Sequence, residues 1–292
     1  MAPPDRSAAL AVVARVPWSC WRPLVWLVAA GASLRPPRRV RDWQVNAATL
    51  TGSTPSRRDT VRAIMSWARN WIETLQVPRW GAARVNRTVL IDPAQERRLL
   101  TTAAESGAVI ALPHSGSWDM AGAWACANGL AVSSVAEQLV AEEYRFFLDL
   151  REALGMRIHS HTDPRAIAKL IHDARRGRTV CLLADRDFSR HGLPVTWSTA
   201  RGPLPATMPP GPAEVALRSG AALLGVVSTY EGRRMRLRIG EPITPRNSDA
   251  DRREQAADMT QQLCDFFAAQ LRERPVDWHM FRPFFGRPES AS

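Results

Sequence analysis

The sequence has 292 residues, an apolar share of 45% and a formal net charge of +11, values that suit a globular protein with a sizeable core. Lys169 is the only lysine, an arginine bias that a GC-rich genome explains without any functional cause. The charge also attracts polyanions, including anionic lipid headgroups. Because the arginines are scattered and form no basic helix, zinc motif or known binding module, we expect no nucleic-acid partner.

The four cysteines are widely spaced in apolar surroundings and form no CxxC or metal-ligand pattern: Cys20, Cys126, Cys181 and Cys264. This spacing predicts a reduced, intracellular chain without a metal site. Cys181 as a nucleophile is disfavoured because it lies inside an apolar run.

The N-terminal segment at 17–34 is apolar, but Arg22 and Pro23 interrupt it and an arginine cluster follows it. A signal peptide has its charges first, and a spanning helix needs about 20 apolar residues. Three tryptophans beside the arginine cluster suit a segment that lies among the headgroups of an anionic membrane. The segment is therefore predicted to be peripheral and not spanning; a buried helical hairpin without lipid contact is the alternative.

Hydrophobic periodicity and turn residues divide the rest of the chain into elements. Helices are predicted at 58–76, 93–106, 117–129, 140–154, 164–176, 211–220 and 250–274, and strands at 108–113, 131–137, 179–185, 222–230 and 234–240. A polar turn is predicted around His159 and His161. The last two strands should form a hairpin.

The alternation of strands and helices predicts an α/β fold with a central, mostly parallel sheet covered by helices on both faces. N-terminal membrane-associated helices are expected to precede it. Three regions follow: a membrane-associating segment at 1–45, the main domain at 46–285 and a disordered tail at 286–292.

Polar residues follow three of the predicted parallel strands, at the sheet edge where α/β proteins place their chemistry. His114 follows the first strand, Glu137 ends the second, and Asp185 and Asp187 end the third. A purely structural interpretation of the two aspartates is an ion-paired turn around Arg186. The functional interpretation is that one of the two carboxylates orients His114 or positions a substrate hydroxyl.

His114 and Asp119 can meet only if the histidine lies in the loop before a helix, because five residues along a helix separate two side chains by well over a right angle. Ser115 or Ser117 would then cap that helix. A neutral imidazole beside a helix N-terminus suits a general base, and a carboxylate on its far nitrogen would fix the tautomer. The alternative is a satisfied buried histidine and a carboxylate that balances the helix dipole.

The segment LPHSGSWDMAGAW at 112–124 resembles the HX4D block of the lipid A late acyltransferase and phosphatidylinositol mannoside acyltransferase family. Later blocks of that family resemble VAEQL, YRFFLDLREALGM, LLADRDFSRHGLPV, MPPGPAEVALRSGA and DWHMF, in the same order. The resemblance covers roughly residues 40–285. It implies transfer of a long acyl chain from acyl-CoA to a sugar hydroxyl of a glycolipid, by a peripheral protein at the cytoplasmic face of the plasma membrane.

The resemblance also implies roles for particular residues. His114 matches the base and Asp119 the motif carboxylate, while Asp187, in preference to Asp185, matches an acid that supports the histidine. The implied substrate-binding residues are Glu137, Arg151, Asp185, Ser117 and Trp118. No metal or cofactor is implied, and backbone amides around Gly116 are candidates for the oxyanion site. Apart from the resemblance, a structural role is expected for His279 in DWHMF.

The alternatives concern the acceptor and the activity itself. GLPVTWST at 192–199 lacks the acidic and aromatic-glycine features usual at this point in the family, which leaves open another glycolipid or a lysophospholipid as acceptor. A non-catalytic lipid-binding homologue is a further possibility. A thioesterase or lipase is disfavoured because no GxSxG motif is present.

Overall fold

The computed structural model describes residues 6–136, 141–187 and 191–285. Its helices are α1 (Arg6–Arg15), α2 (Trp18–Leu34), α3 (Arg38–Thr51), α4 (Arg57–Gln76), α5 (Ala82–Thr88), α6 (Pro93–Ser106), α7 (Trp118–Ala127), α8 (Ala141–Ala153), α9 (Ala166–Arg175), α10 (Gly211–Ser219) and α11 (Arg252–Glu273). Its strands are β1 (Val89–Leu90), β2 (Ala108–Leu112), β3 (Val132–Ala136), β4 (Arg157–Ser160), β5 (Thr179–Leu183), β6 (Leu193–Thr199), β7 (Gly202–Met208), β8 (Ala222–Glu231) and β9 (Arg234–Ile243). Short 3-10 helices lie at Val77–Arg79 and Pro275–Asp277.

The central sheet has seven strands in the order β1-β9-β8-β2-β5-β3-β4. All neighbours pair in parallel except β8 and β9, which form the predicted antiparallel hairpin. Successive residues of β2 point to opposite faces: Val109 and Ala111 join a core with α9, α10 and α11, whereas Ile110 and Leu112 join a core with α7. The predicted α/β fold with helices on both faces is confirmed.

Local sequence signals explain where the main helices begin and end. Ser56 and Asp59 form a capping box at the start of α4. The Asp92 side chain accepts from two amides at the start of α6, where Pro93 occupies the first turn. The same helix ends at Ser106, and Gly107 follows it with a φ of +73°, which disfavours other residues.

Four strands escaped prediction: the two-residue strand β1, and β4, β6 and β7. The hairpin of β6 and β7 forms a separate two-stranded sheet at 193–208, and its three prolines hide the strand pattern because proline cannot donate to a ladder. β4 is a polar edge strand without apolar alternation, so the expected polar turn is wrong for His159, which lies on β4.

The N-terminal helices pack against α4 and leave an apolar face in solvent. Five large side chains from Leu24 to Leu34 on α2 are more than half exposed: Leu24, Trp26, Leu27, Val28 and Leu34. Among the described helices, none combines the length and the apolarity that crossing a bilayer requires. The predicted tail at 286–292 and Glu137 lie outside the described residues.

Candidate active site

His114 lies in the tight loop between the carboxyl end of β2 and the start of α7. Ser117 caps α7 by accepting a hydrogen bond from the Met120 amide at 3.3 Å. Of the two predicted capping residues, Ser115 and Ser117, it is the second that caps the helix. Gly116 has a φ of +52°, and a Cβ there would lie 2.7 Å from the backbone of Ser228 on β8. The loop therefore requires glycine, both for its conformation and for its close approach to the sheet.

A buried aspartate, Asp185, which follows the neighbouring strand β5, holds the imidazole of His114. His114 Nδ1 lies 2.5 Å from Asp185 Oδ1, and the Asp185 side chain is fully buried whereas that of His114 is 16% exposed. Burial raises the pKa of Asp185, but the opposing effect of His114 and of its hydrogen bond is larger, so the pKa falls to about 2. The ionised carboxylate favours the tautomer with a proton on Nδ1, which leaves Nε2 as the acceptor.

The structure corrects the preference for Asp187 as the acid that supports His114. β5 ends at Leu183, so the strict alternation that placed both aspartates on one side does not continue through residue 187. The Asp187 carboxylate lies instead against Gly192, where a Cβ would sit 1.9 Å from Oδ2. Asp185 is the carboxylate on the imidazole.

Asp119, in the first turn of α7, also faces a different partner from the one expected. Its Oδ1 accepts from Arg151 Nε at 2.7 Å, and Oδ2 accepts from Thr74 on α4 at 3.0 Å and from Arg151 at 3.3 Å. The prediction that Asp119 and His114 meet is therefore corrected, because the carboxylate turns toward α4 and α8. Arg151 lines the cavity beside the site, and Asp119 links α7 to both α4 and α8.

Backbone amides around Gly116 are already engaged. The Ser115 amide donates to the Pro113 carbonyl at 2.8 Å, and the Gly116 amide donates to the Asp277 carbonyl at 3.0 Å. These two amides therefore do not supply the oxyanion site expected from the sequence.

His279 belongs to the site although sequence reasoning gave it a structural role. Its amide donates to the His114 carbonyl at 2.7 Å, and its Nε2 lies 3.1 Å from Ser66 Oγ. The rings of His114 and His279 both stand edge-on to Trp118, with centroid distances of 5.4 and 6.1 Å. Burial lowers the pKa of His279 to about 3, with His114 adding to the effect, so the ring is neutral. The sequence signal that could have assigned His279 to the site is its position in the DWHMF block.

A cavity of about 580 Å³ opens beside His114 and runs along the α7 face of the sheet. Its polar wall includes His114, Asp119, Arg151, Arg186 and His279, and Arg39 and Arg282 also line it. The remaining lining is mainly apolar: Trp67, Trp71, Leu99, Ile110, Leu112, Trp118, Ala121, Trp124, Val132, Phe147, Met156, Ile158, Leu183, Val226, Leu237 and Ile239. The apolar groove between the tryptophan-bearing helix α4 and the sheet has a volume typical of ligand sites.

Cys181 also lines this cavity, and burial raises the pKa of its thiol to about 12. A thiol that stays protonated is a poor nucleophile. Cys181 is therefore poorly suited to act as the nucleophile of the site.

A histidine on a buried carboxylate, at a strand end and beside a long apolar cavity, suits acyl-group chemistry. Comparison with known proteins agrees: residues 7–287 match the family model described as bacterial lipid A biosynthesis acyltransferase. The chain belongs to this family and is an acyltransferase, as the HX4D resemblance indicated.

Two proteins that the chain resembles over most of its length are named phosphatidylinositol mannoside acyltransferases. The protein from Mycolicibacterium smegmatis is 35% identical over 248 residues, which cover 82% of this chain and 77% of the relative. The protein from Mycobacterium tuberculosis strain CDC 1551 is 34% identical over 225 residues, which cover 76% of this chain and 68% of the relative.

Proposed function

We propose that this acyltransferase moves a long acyl chain from acyl-CoA to a sugar hydroxyl of a glycolipid of the phosphatidylinositol mannoside type, with His114 as general base. The names of its relatives support the acceptor class. The observation that carries the proposal is the His114–Asp185 pair at the wall of the apolar cavity. The cavity suits an acyl chain because burial of apolar surface favours its binding.

In the proposed reaction, Nε2 of His114 takes the proton of the acceptor hydroxyl as that oxygen attacks the thioester carbonyl. The tetrahedral intermediate then collapses, the carbon–sulfur bond breaks, and the thiolate leaves with the proton from His114. Asp185 stabilises the imidazolium that forms between these steps. General base catalysis of this kind increases the reaction rate by about 10²- to 10⁴-fold. All steps use side chains of the protein, so the proposal includes no metal or cofactor.

The phosphates of the proposed donor have cationic side chains within reach. Arg39, Arg151, Arg186 and Arg282 all line the cavity that contains His114. Guanidinium groups bind phosphate through paired hydrogen bonds. These arginines support acyl-CoA as the donor.

We also propose that the protein acts at the cytoplasmic face of the plasma membrane, as a peripheral protein. The exposed apolar face of α2 supports this proposal, together with Arg35, Arg38, Arg39 and Arg41, which follow it in the chain. Apolar side chains beside a basic cluster bind anionic bilayers through burial and charge together.

The test is incubation of the purified protein with palmitoyl-CoA and a panel of glycolipids and lysophospholipids, with products identified by mass spectrometry. We expect an acylated phosphatidylinositol mannoside, its absence with His114→Ala, and its retention with His172→Ala, a control at an exposed position on α9. Release of CoA without any acceptor would identify a thioesterase. A protein that binds lipid but forms no product would be a non-catalytic homologue.

A further inference from the structure

The segment that follows α11 is fastened to the loop that carries His114. Trp278 and Ser115 form an antiparallel bridge, and hydrogen bonds on either side of it link Asp277 to Gly116 and His279 to His114. This segment therefore keeps a fixed position relative to the base, although it lies far away in the chain.

The side chain of Trp278 reaches the other end of the catalytic pair. Its indole Nε1 donates to Asp185 Oδ2 at 2.9 Å, while Asp185 Oδ1 faces His114 Nδ1 at 2.5 Å. Trp278 and Asp185 are both fully buried. Each carboxylate oxygen thus has its own partner, and rotation of the carboxylate away from the imidazole would break the indole hydrogen bond.

A neighbouring tryptophan shows that aromatic packing does not require this hydrogen bond. Trp197 stacks on Trp278 with ring centroids 5.9 Å apart and planes 10° apart, and it is equally buried. Trp197 Nε1 has no hydrogen-bond partner among the residues that the structure describes. The two indoles share one cluster, but only Trp278 directs its N–H at a group of the site.

The backbone of Trp278 is held from a third direction. Trp43 Nε1, on α3, donates to the Trp278 carbonyl at 3.1 Å, and the Trp43 side chain is 1% exposed. Because both the backbone and the ring of Trp278 are held in place, its indole N–H holds the Asp185 carboxylate in one orientation.

We propose that Trp278 is a positioning residue for the transfer reaction, which orients Asp185 and through it the His114 base. The inference rests on the function proposed above for His114. Trp278 touches no substrate in this scheme. It acts by holding the carboxylate in the orientation that presents the Nε2 lone pair to the acceptor hydroxyl.

The same hydrogen bond affects the proton affinity of the pair. The titratable or charged groups that face Asp185 are His114, Arg186 from the end of β5 and His279 from the C-terminal segment. The indole hydrogen bond is strongest when the pair carries its full negative charge, before His114 is protonated. Its loss should therefore raise the apparent pKa of the pair and move the acid limb of the rate profile to higher pH.

Trp278→Phe removes the N–H and keeps an aromatic ring, and Trp197→Phe is the matched control in the same cluster. For Trp278→Phe we expect kcat to fall about 10- to 100-fold, the rate equivalent of a hydrogen bond to a charged group. The KM values should change little and the acid limb should shift to higher pH. Trp197→Phe should keep the kcat and pH profile of the parent protein.

The effect must also depend on Asp185. In an Asp185→Asn background, Trp278→Phe should cause little further loss of kcat, because residues that act as a unit are not additive. Wild-type kcat and pH profile in Trp278→Phe would refute the positioning role, and so would equal losses in Trp278→Phe and Trp197→Phe. If the phenylalanine variant does not fold, a benzothiophene isostere of the Trp278 indole tests the N–H alone.

The outcome separates this inference from the proposed function. An inactive His114→Ala with an unaffected Trp278→Phe would remove the positioning role and leave the base assignment intact. An active His114→Ala would overturn the base assignment and this inference with it.

Discussion

Arg151 Nε lies 2.7 Å from Asp119 Oδ1, so the carboxylate of the HX4D block joins α7 to the last turn of α8. Arg151 is one-fifth exposed and Asp119 is nearly fully buried. The motif thus contains two residues with different tasks: His114 faces Asp185, and Asp119 organises the wall of the cavity.

Asp119→Ala should therefore impair both activity and stability. Breaking this partly buried ion pair should lower the free energy of unfolding by about 1–3 kcal/mol, because Arg151 loses its partner and Thr74 loses its acceptor. Denaturant melts would measure the loss, and activity should fall severely as α8 shifts. A variant with full activity would contradict this account of the motif.

Asp185→Asn should be far more damaging than Asp187→Asn. An amide at position 185 cannot stabilise the imidazolium, and we expect kcat to fall about 10²- to 10⁴-fold. Asp187→Asn serves as the matched control, since its carboxylate lies beside Gly192, and it should retain most of the activity. Steady-state kinetics would decide, and a larger loss in the Asp187 variant would reverse the assignment.

Gly116→Ala should unfold the site loop. The added Cβ would lie 2.7 Å from backbone atoms of Ser228, which cannot move aside, and the φ of +52° adds strain. The expected loss is above about 2 kcal/mol, together with loss of activity. Gly129→Ala is the control: its φ is +88° but it has open space around it, so it should lose about 1–2 kcal/mol and remain active. Equal losses would argue against the steric account.

His279 should make the protein less stable as the pH falls below about 6.5. Its folded pKa is about 3, below the ordinary value of 6.5, so between these values the unfolded chain binds a proton that the folded chain does not. Stability then rises with pH across this window, with a slope of up to about 1.4 kcal/mol per pH unit from this group.

His279→Gln should flatten that dependence. Unfolding free energies between pH 6 and pH 4 would fall less steeply in this variant, whereas His172→Gln, at an exposed position, should leave the slope unchanged. An unchanged slope in His279→Gln would show that the ring is protonated in the folded state.

The exposed face of α2 offers a test of membrane binding. Leu27→Glu with Val28→Glu places two charges on side chains that are 61% and 63% exposed, and it should weaken binding to anionic vesicles by tenfold or more. Activity on acceptor dispersed in detergent should persist. Thr101→Glu with Ala104→Glu, both at exposed positions on α6, controls for the two added charges. Unchanged vesicle binding of the double variant would exclude this face.

Much of the fold followed from local patterns. Apolar runs bounded by turn residues located β2, β3 and β5, and their ends identified the sheet edge that carries His114. Such signals are predictive because burial on a sheet and the capping of a helix both depend on residues that are close together in the sequence. The proline-rich hairpin at 193–208 and the polar strand β4 lack them, so both escaped prediction.

The sequence alone thus determined the fold class, the strand-end position of His114, the proposed base, and the resemblance to one acyltransferase family. The tertiary structure decided which carboxylate serves His114, where Asp119 turns, and that Trp278 reaches Asp185. Those partners lie 71, 32 and 93 residues apart in the chain. Contacts over such separations are set by the packing of helices on the sheet. Periodicity along the chain does not predict the direction of a particular side chain after its strand has ended.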